Sequence, residues 1–142
     1  RKKFENIIFL FLTKRPSNIS KFIPENWKES LPQNVWFGTS ISTQENANTL
    51  VPLLINHSPK NSKLFLSVEP QLESLKLDLW YNSIDWVIQG GESGIKRRNF
   101  NIQWAYDMCN FCLKFKIPYF FKQIDGKLKI PEDLMINQFP KF

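Results

Sequence analysis

Five short apolar runs punctuate the chain, and each stops at polar or charged residues: FLFLTKRP at 9–16, VWFGTSIS at 35–42, LFLSVEP at 64–70, IDWVIQGGESG at 84–94 and YFFKQ at 119–123. Within them the apolar positions are mostly consecutive and do not alternate, which predicts strands buried on both faces, as in a parallel sheet. The first run reaches back to Phe4, and Ile7 to Leu12 is too continuous for a half-exposed strand. Between the runs the period changes. Pro16 and Ser17 open a short helix to about Phe22, and Pro24, Asn26, Ser30, Pro32 and Asn34 mark a loop with Trp27 tucked beneath it. Ser42 with Glu45 has capping-box spacing, and Ala47, Leu50, Val51 and Leu54 then recur on one helical face to about Asn56, with a kink expected at Pro52. Residues 71–83 read as an irregular crossover or one short helix. Asn101 caps a last helix with an apolar stripe of Met108, Cys109, Cys112 and Phe115, and Pro118 stops it.

Strands alternating with helical segments predict an α/β fold, a five-stranded parallel sheet with flanking helices and right-handed crossovers. No G-x-G-x-x-G or P-loop marks a nucleotide-binding open sheet. A full eight-stranded barrel takes about 250 residues, and the chain has 142. The expected architecture is therefore a partial TIM-type barrel over residues 1–125. The tail 126–142 is expected to be a lid or linker loosely held by Leu134 and Phe139. The chain begins with Arg1, close to the first apolar run, as a piece of a longer polypeptide or a truncated reading frame would.

Composition narrows the function classes. At 42% apolar and 15% aromatic the chain has ample material for a core, which excludes a disordered protein. A net charge of +6 favours anionic partners weakly and falls short of the dense basic stripe of a dedicated nucleic-acid binder. Lys96, Arg97 and Arg98 form the dense internal run, while Arg1 to Lys3 sit at a chain end. Cys109 and Cys112 make a lone C-x-x-C inside a helix pattern, with no second pair to complete a zinc site, so they read as packing thiols and no metal site is expected. His57, the one histidine, stands at a helix end. With no apolar run of membrane-spanning length and no signal peptide, a cytoplasmic protein is expected, with no membrane partner.

In a parallel sheet, binding groups collect beyond the carboxyl ends of the strands. That rule puts Lys14, Ser40, Glu69, Glu92 and Lys122 on one rim. Gly90 and Gly91 let the backbone turn and approach a ligand, and with Ser93 and a folded-back Arg98 they form a candidate anion cradle. Glu92 at its centre repels a bare phosphate unless a cation such as Lys122 intervenes. A zwitterion, amine toward Glu92 and carboxylate toward Arg98, satisfies both charges. Two other readings stay open: a barrel hydrolase with Glu69 and Glu92 as an acid–base pair, and a non-catalytic nucleotide or nucleic-acid module using the 96–98 run. The bland alternative is that Lys14, Glu69, Glu92 and Lys122 merely neutralise one another. An open sheet edge also invites self-association.

The motifs LTKRP at 12–16, NVWFGTSI at 34–41, FLSVEP at 65–70, IDWVIQGGESG at 84–94 with Arg98, and PYFFKQ at 118–123 occur in the order and spacing of a phage-associated bacterial family of unknown function. That family resembles the radical S-adenosylmethionine barrel enzymes. The resemblance covers roughly residues 7 to 124. It implies that full-length relatives bind S-adenosylmethionine and an iron–sulfur cluster, the latter through an amino-terminal G-C…S-P-G-C-x-x-C-Y segment that this sequence does not contain. Cys109 falls where relatives tend to carry Cys, and Cys112 does not. Ser42 stands where relatives usually have Glu, Asn99 where they have Pro, and Ile124 where they have Trp. The implied role is the substrate side of such a barrel, not catalytic alone and with no cofactor of its own. Glu69 and Glu92 would orient an amine or hydroxyls, Lys14, Arg15 and Arg98 would hold an acid group, and Lys122 with Gln123 would complete the floor.

Overall fold

The structure, a computed structural model, describes residues 7–125 and 128–141. Five strands, β1 (Phe9–Thr13), β2 (Val35–Ser40), β3 (Lys63–Val68), β4 (Trp86–Gly90) and β5 (Tyr119–Gln123), form one sheet in the order β1-β2-β3-β4-β5, every neighbouring pair parallel. The order never reverses, so the sheet lacks the switch point of a doubly wound fold. It is an open α/β sheet, consistent with a partial barrel.

Helices lie against one face. A 3-10 turn (Pro16–Asn18), α1 (Ile19–Phe22) and α2 (Glu25–Glu29) join β1 to β2, α3 (Gln44–His57) joins β2 to β3, and α4 (Ile102–Phe115) joins β4 to β5. Side chains alternate across each strand. Val35, Phe37, Leu64, Leu66, Val68, Val87, Tyr119 and Phe121 pack with Ala47, Val51 and Leu54 of α3 and Ala105, Met108, Cys109 and Cys112 of α4 as the main core. The opposite, inner face carries a smaller aromatic layer of Trp36, Phe65 and Trp86, with Ile88 and Phe120 against it. Gly38 makes that layer possible, because a Cβ there would lie 2.5 Å from the Phe65 ring. The close approach at this glycine is therefore between backbone and an aromatic side chain.

Several local expectations change. β1 is not buried: Phe9, Leu10, Phe11 and Leu12 are each 41–51% exposed, because β1 is an edge strand with only short helices over one face. Ile7 and Ile8 lie outside the strand, and Phe4 and the Arg1 to Lys3 cluster lie outside the described residues. The stretch read as a loop around Trp27 contains α2, and Trp27 meets Phe11 edge-on at 6.1 Å. The cap of α3 is Thr43, not Ser42: its side chain accepts from the Asn46 N–H at 3.2 Å. Pro52 does not split α3. The carbonyl it leaves without an amide partner belongs to Asn48, which is exposed and can bond water.

Asn101 caps α4 as expected, accepting from the Gln103 N–H at 3.0 Å. The helix ends at Lys116 in the left-handed conformation (φ 58°). Residues 71–83 end in a 3-10 turn at Asp78–Ser83. The tail is held more closely than its composition suggests. Leu134 is buried, the Phe121 N–H donates to the Ile136 carbonyl at 2.8 Å, and the Gln138 N–H to that of Tyr119 at 3.0 Å. Asn137 thereby pairs antiparallel with Phe120 along the outer side of β5. Gly126, Lys127 and Phe142 of the tail lie outside the described residues.

Candidate functional site

The inner face forms a trough of about 380 Å³. Leu10, Leu12, Ile88 and the rings of Phe65, Trp86, Phe120 and Phe139 supply its apolar surface, and Ser67, Glu69 and Lys122 its polar end. Trp86 sits at the centre. It meets Trp36, Phe65, Phe120 and Phe139 at ring-centroid distances of 5.5–6.4 Å, and its indole N–H donates to the Gln138 carbonyl at 3.0 Å. A central ring held on all sides makes a preformed wall, which is how small-molecule sites avoid an ordering cost on binding.

At the carboxyl-end rim, β5 delivers two neighbouring side chains to one carboxylate. Lys122 Nζ donates to the Glu69 oxygens at 3.1 and 3.3 Å, and Gln123 Nε2 donates to Glu69 Oε1 at 3.0 Å and to the Gly91 carbonyl at 2.9 Å. Consecutive strand residues ordinarily point to opposite faces. Here the β4–β5 register shifts between Gln89 and Gly90, so that Phe121 pairs with Gln89 but Gln123 with Gly90, leaving Lys122 as the extra residue. Such a bulge re-aims side chains. Glu69 keeps 20% of its side chain exposed and Lys122 52%, so the pair opens to the trough mouth.

The loop after β4 closes on itself. Glu92 accepts from the Arg98 backbone N–H at 2.8 Å, from Nε at 3.1 Å and from Nη2 at 2.9 Å. These bonds, the side-chain ones foremost, lower the Glu92 carboxyl from 4.5 to about 2 and raise the Arg98 guanidinium. Arg97 pairs with Asp125 at 3.5 Å. Ser93 and Lys96 of the same loop are exposed. Gly91 is required by β5 and not by a ligand: a Cβ there would lie 1.5 Å from the Ile124 carbonyl oxygen. Gly90 sits against the Gln123 side chain.

The residues singled out from the sequence therefore divide. Glu69, Lys122, Gln123 and the Gly91 carbonyl come together, and Ser40 lies beside Ser67 in register on the inner face. Glu92 and Arg98 bind each other. Arg15 lines a different groove, on the helix side of β1, and Lys14 is exposed. His57, the last residue of α3, takes a 3.1 Å contact from its Nδ1 to Ser20 Oγ. Cys109 and Cys112 lie in the buried face of α4, where burial raises both thiols. Among the described residues no three His, Cys, Asp or Glu side chains gather as metal ligands. Nor is any helix among them long and apolar enough to cross a membrane.

One feature escaped the sequence reading. Gln89, fully buried on the helix side, accepts from the Tyr119 hydroxyl and donates to Gln71 Oε1 and, at 3.0 Å, to the Trp104 carbonyl. A glutamine inside the apolar run WVIQ was the available signal, since a buried amide must find partners. This network fastens α4 to β4 directly behind the rim.

The family model described as Protein of unknown function (DUF5131) matches residues 2–133. No curated protein and no solved structure matches the chain.

Proposed function

The chain belongs to the family described as Protein of unknown function (DUF5131), and from that premise we propose that it is the ligand-side wall of a phage-type barrel resembling the radical S-adenosylmethionine enzymes, and is not catalytic alone. One observation carries the reading: an apolar aromatic trough ends in a carboxylate that accepts hydrogen bonds from both an ammonium and a carboxamide. A ligand with an amine and an acid group fits this end by inserting between Glu69 and Lys122. Its amine replaces Lys122 on Glu69, its acid takes Lys122, and its less polar body lies over Trp86 and Phe120. The pairing thus moves from Glu92 and Arg98, whose charges satisfy each other, to Glu69 and Lys122. S-adenosylmethionine is of this chemical class. Nothing among the described residues suits an iron–sulfur cluster, because Cys109 and Cys112 face the core of α4.

The hydrolase reading is disfavoured by Glu92. Arg98 clasps its carboxylate with two side-chain bonds and one backbone bond, which takes it out of the acid–base pair that this reading requires.

Calorimetric titration with S-adenosylmethionine, and separately with inorganic phosphate, tests the proposal. Saturable binding of the sulfonium amino acid is expected, weakened about tenfold or more by Glu69→Gln, as loss of a charge-assisted hydrogen bond of about 1.5–3 kcal/mol requires. Phosphate binding untouched by that substitution, with no binding of S-adenosylmethionine, would support a nucleotide or nucleic-acid module instead.

A further inference from the structure

On the helix side of β1 a second cavity of about 480 Å³ opens between the strand and the short helices after it. Phe11, Ile19, Phe22 and Trp27 make most of its wall, and among the described residues Arg15 is the only charged one lining it. Phe22 is 80% exposed and Phe11 46%, so large apolar groups stand at its rim in water. Isolated exposed apolar residues are ordinary, but a contiguous set around a groove marks a contact surface.

The rest of the fold indicates what shape the occupant has. α3 and α4 have 14 residues each and cover the helix face of β2 to β5. Over β1 stand only α1, with four residues, and α2, with five. The helical layer is thinnest where the groove lies. A helix of about four turns spans roughly 21 Å, enough to run the length of β1.

Charge indicates its chemistry. The Arg15 guanidinium has no carboxylate partner among the described residues; Arg15 bonds through its backbone, its N–H donating to Thr13 Oγ1 at 2.9 Å and its carbonyl accepting from the Asn18 N–H at 3.0 Å. Lys14 beside it and Lys21 on α1 are exposed, and neither is in an ion pair among the described residues. A second copy of this basic surface would bring like charges together, whereas an acidic helix would complement it.

We infer that this groove is a docking site for an amphipathic helix of another polypeptide, its apolar stripe on Phe11, Phe22 and Trp27 and a carboxylate on Arg15. Helix-in-groove recognition of this kind reads anchors at i, i+3, i+4 and i+7. The site lies on the opposite face of β1 from the trough and does not depend on what binds there.

The test uses two labelled 15-residue peptides with leucine at those positions, one otherwise rich in glutamate and one in lysine, followed by fluorescence anisotropy against the full chain. The glutamate peptide should bind saturably and the lysine peptide at least tenfold more weakly. Arg15→Glu should reverse that preference, and Phe22→Ser should weaken the glutamate peptide about tenfold with the circular dichroism unchanged. Equal affinity for the two peptides, or binding of neither, overturns the inference. So does sedimentation showing a dimer of the chain that Phe22→Ser dissociates, since the occupant would then be a second copy.

Discussion

At the β5 edge of the sheet, residues 136–138 lie antiparallel to the strand, take two backbone hydrogen bonds from it or give them to it, and bury Leu134. At the β1 edge, four successive apolar side chains are each 41–51% exposed. The two strands have similar composition, FLFLT against YFFKQ, and what separates them is what lies beside them. Apolar sequence therefore records what a strand can bury. Neighbours decide what it does bury.

Substitutions at the two ends should widen this contrast. The largest effect is expected from Gly91→Ala, where the new methyl group would meet the Ile124 carbonyl and force β4 and β5 apart. Urea unfolding should show a loss of about 3 kcal/mol or more, and a near-neutral result would mean that the β5 end is not held as described. Leu134→Ala comes next at about 2–5 kcal/mol, against about 1 kcal/mol for Leu12→Ala, whose side chain is already half in water. Equal losses would show that the β1 edge is covered in solution. Tyr119→Phe removes the hydroxyl that serves Gln89 and should cost about 1–3 kcal/mol, since the glutamine oxygen then stays buried without that donor.

The smallest effect concerns pH. Glu92 has its carboxyl lowered in the folded chain, so its contribution is fully present above 4.5, falls away as pH drops, and is gone below about 2. Glu92→Gln should flatten stability in that window and lower neutral-pH stability by the same amount, which solvent screening keeps small for an exposed pair. A titration of the Glu92 carboxyl by NMR that gives an ordinary carboxylate value would contradict the Arg98 clasp.

Much of the frame was legible in the sequence. Each strand is an apolar run closed by polar or charged residues, Pro or Gly, so strand number, sense and the collection of Glu69 and Lys122 at one rim followed from local pattern. What stayed hidden depends on alignment between distant segments. The bulge that turns both Lys122 and Gln123 toward Glu69 is a property of β4 and β5 together, more than 30 residues apart, and neither strand announces it alone. The same holds for Gln89, whose partners Gln71, Trp104 and Tyr119 come from three elements. The slip from Ser42 to Thr43 at the α3 cap is of another kind, two competent hydroxyls in succession with the backbone choosing the second.

The antiparallel segment beside β5 also sets a stoichiometry. A sheet whose two edges were both open could add strands at each end and propagate into a fibre. With residues 136–138 against one edge, strand addition has only the β1 side, so any such assembly ends after a single event: one partner, or one twofold pair, and no filament.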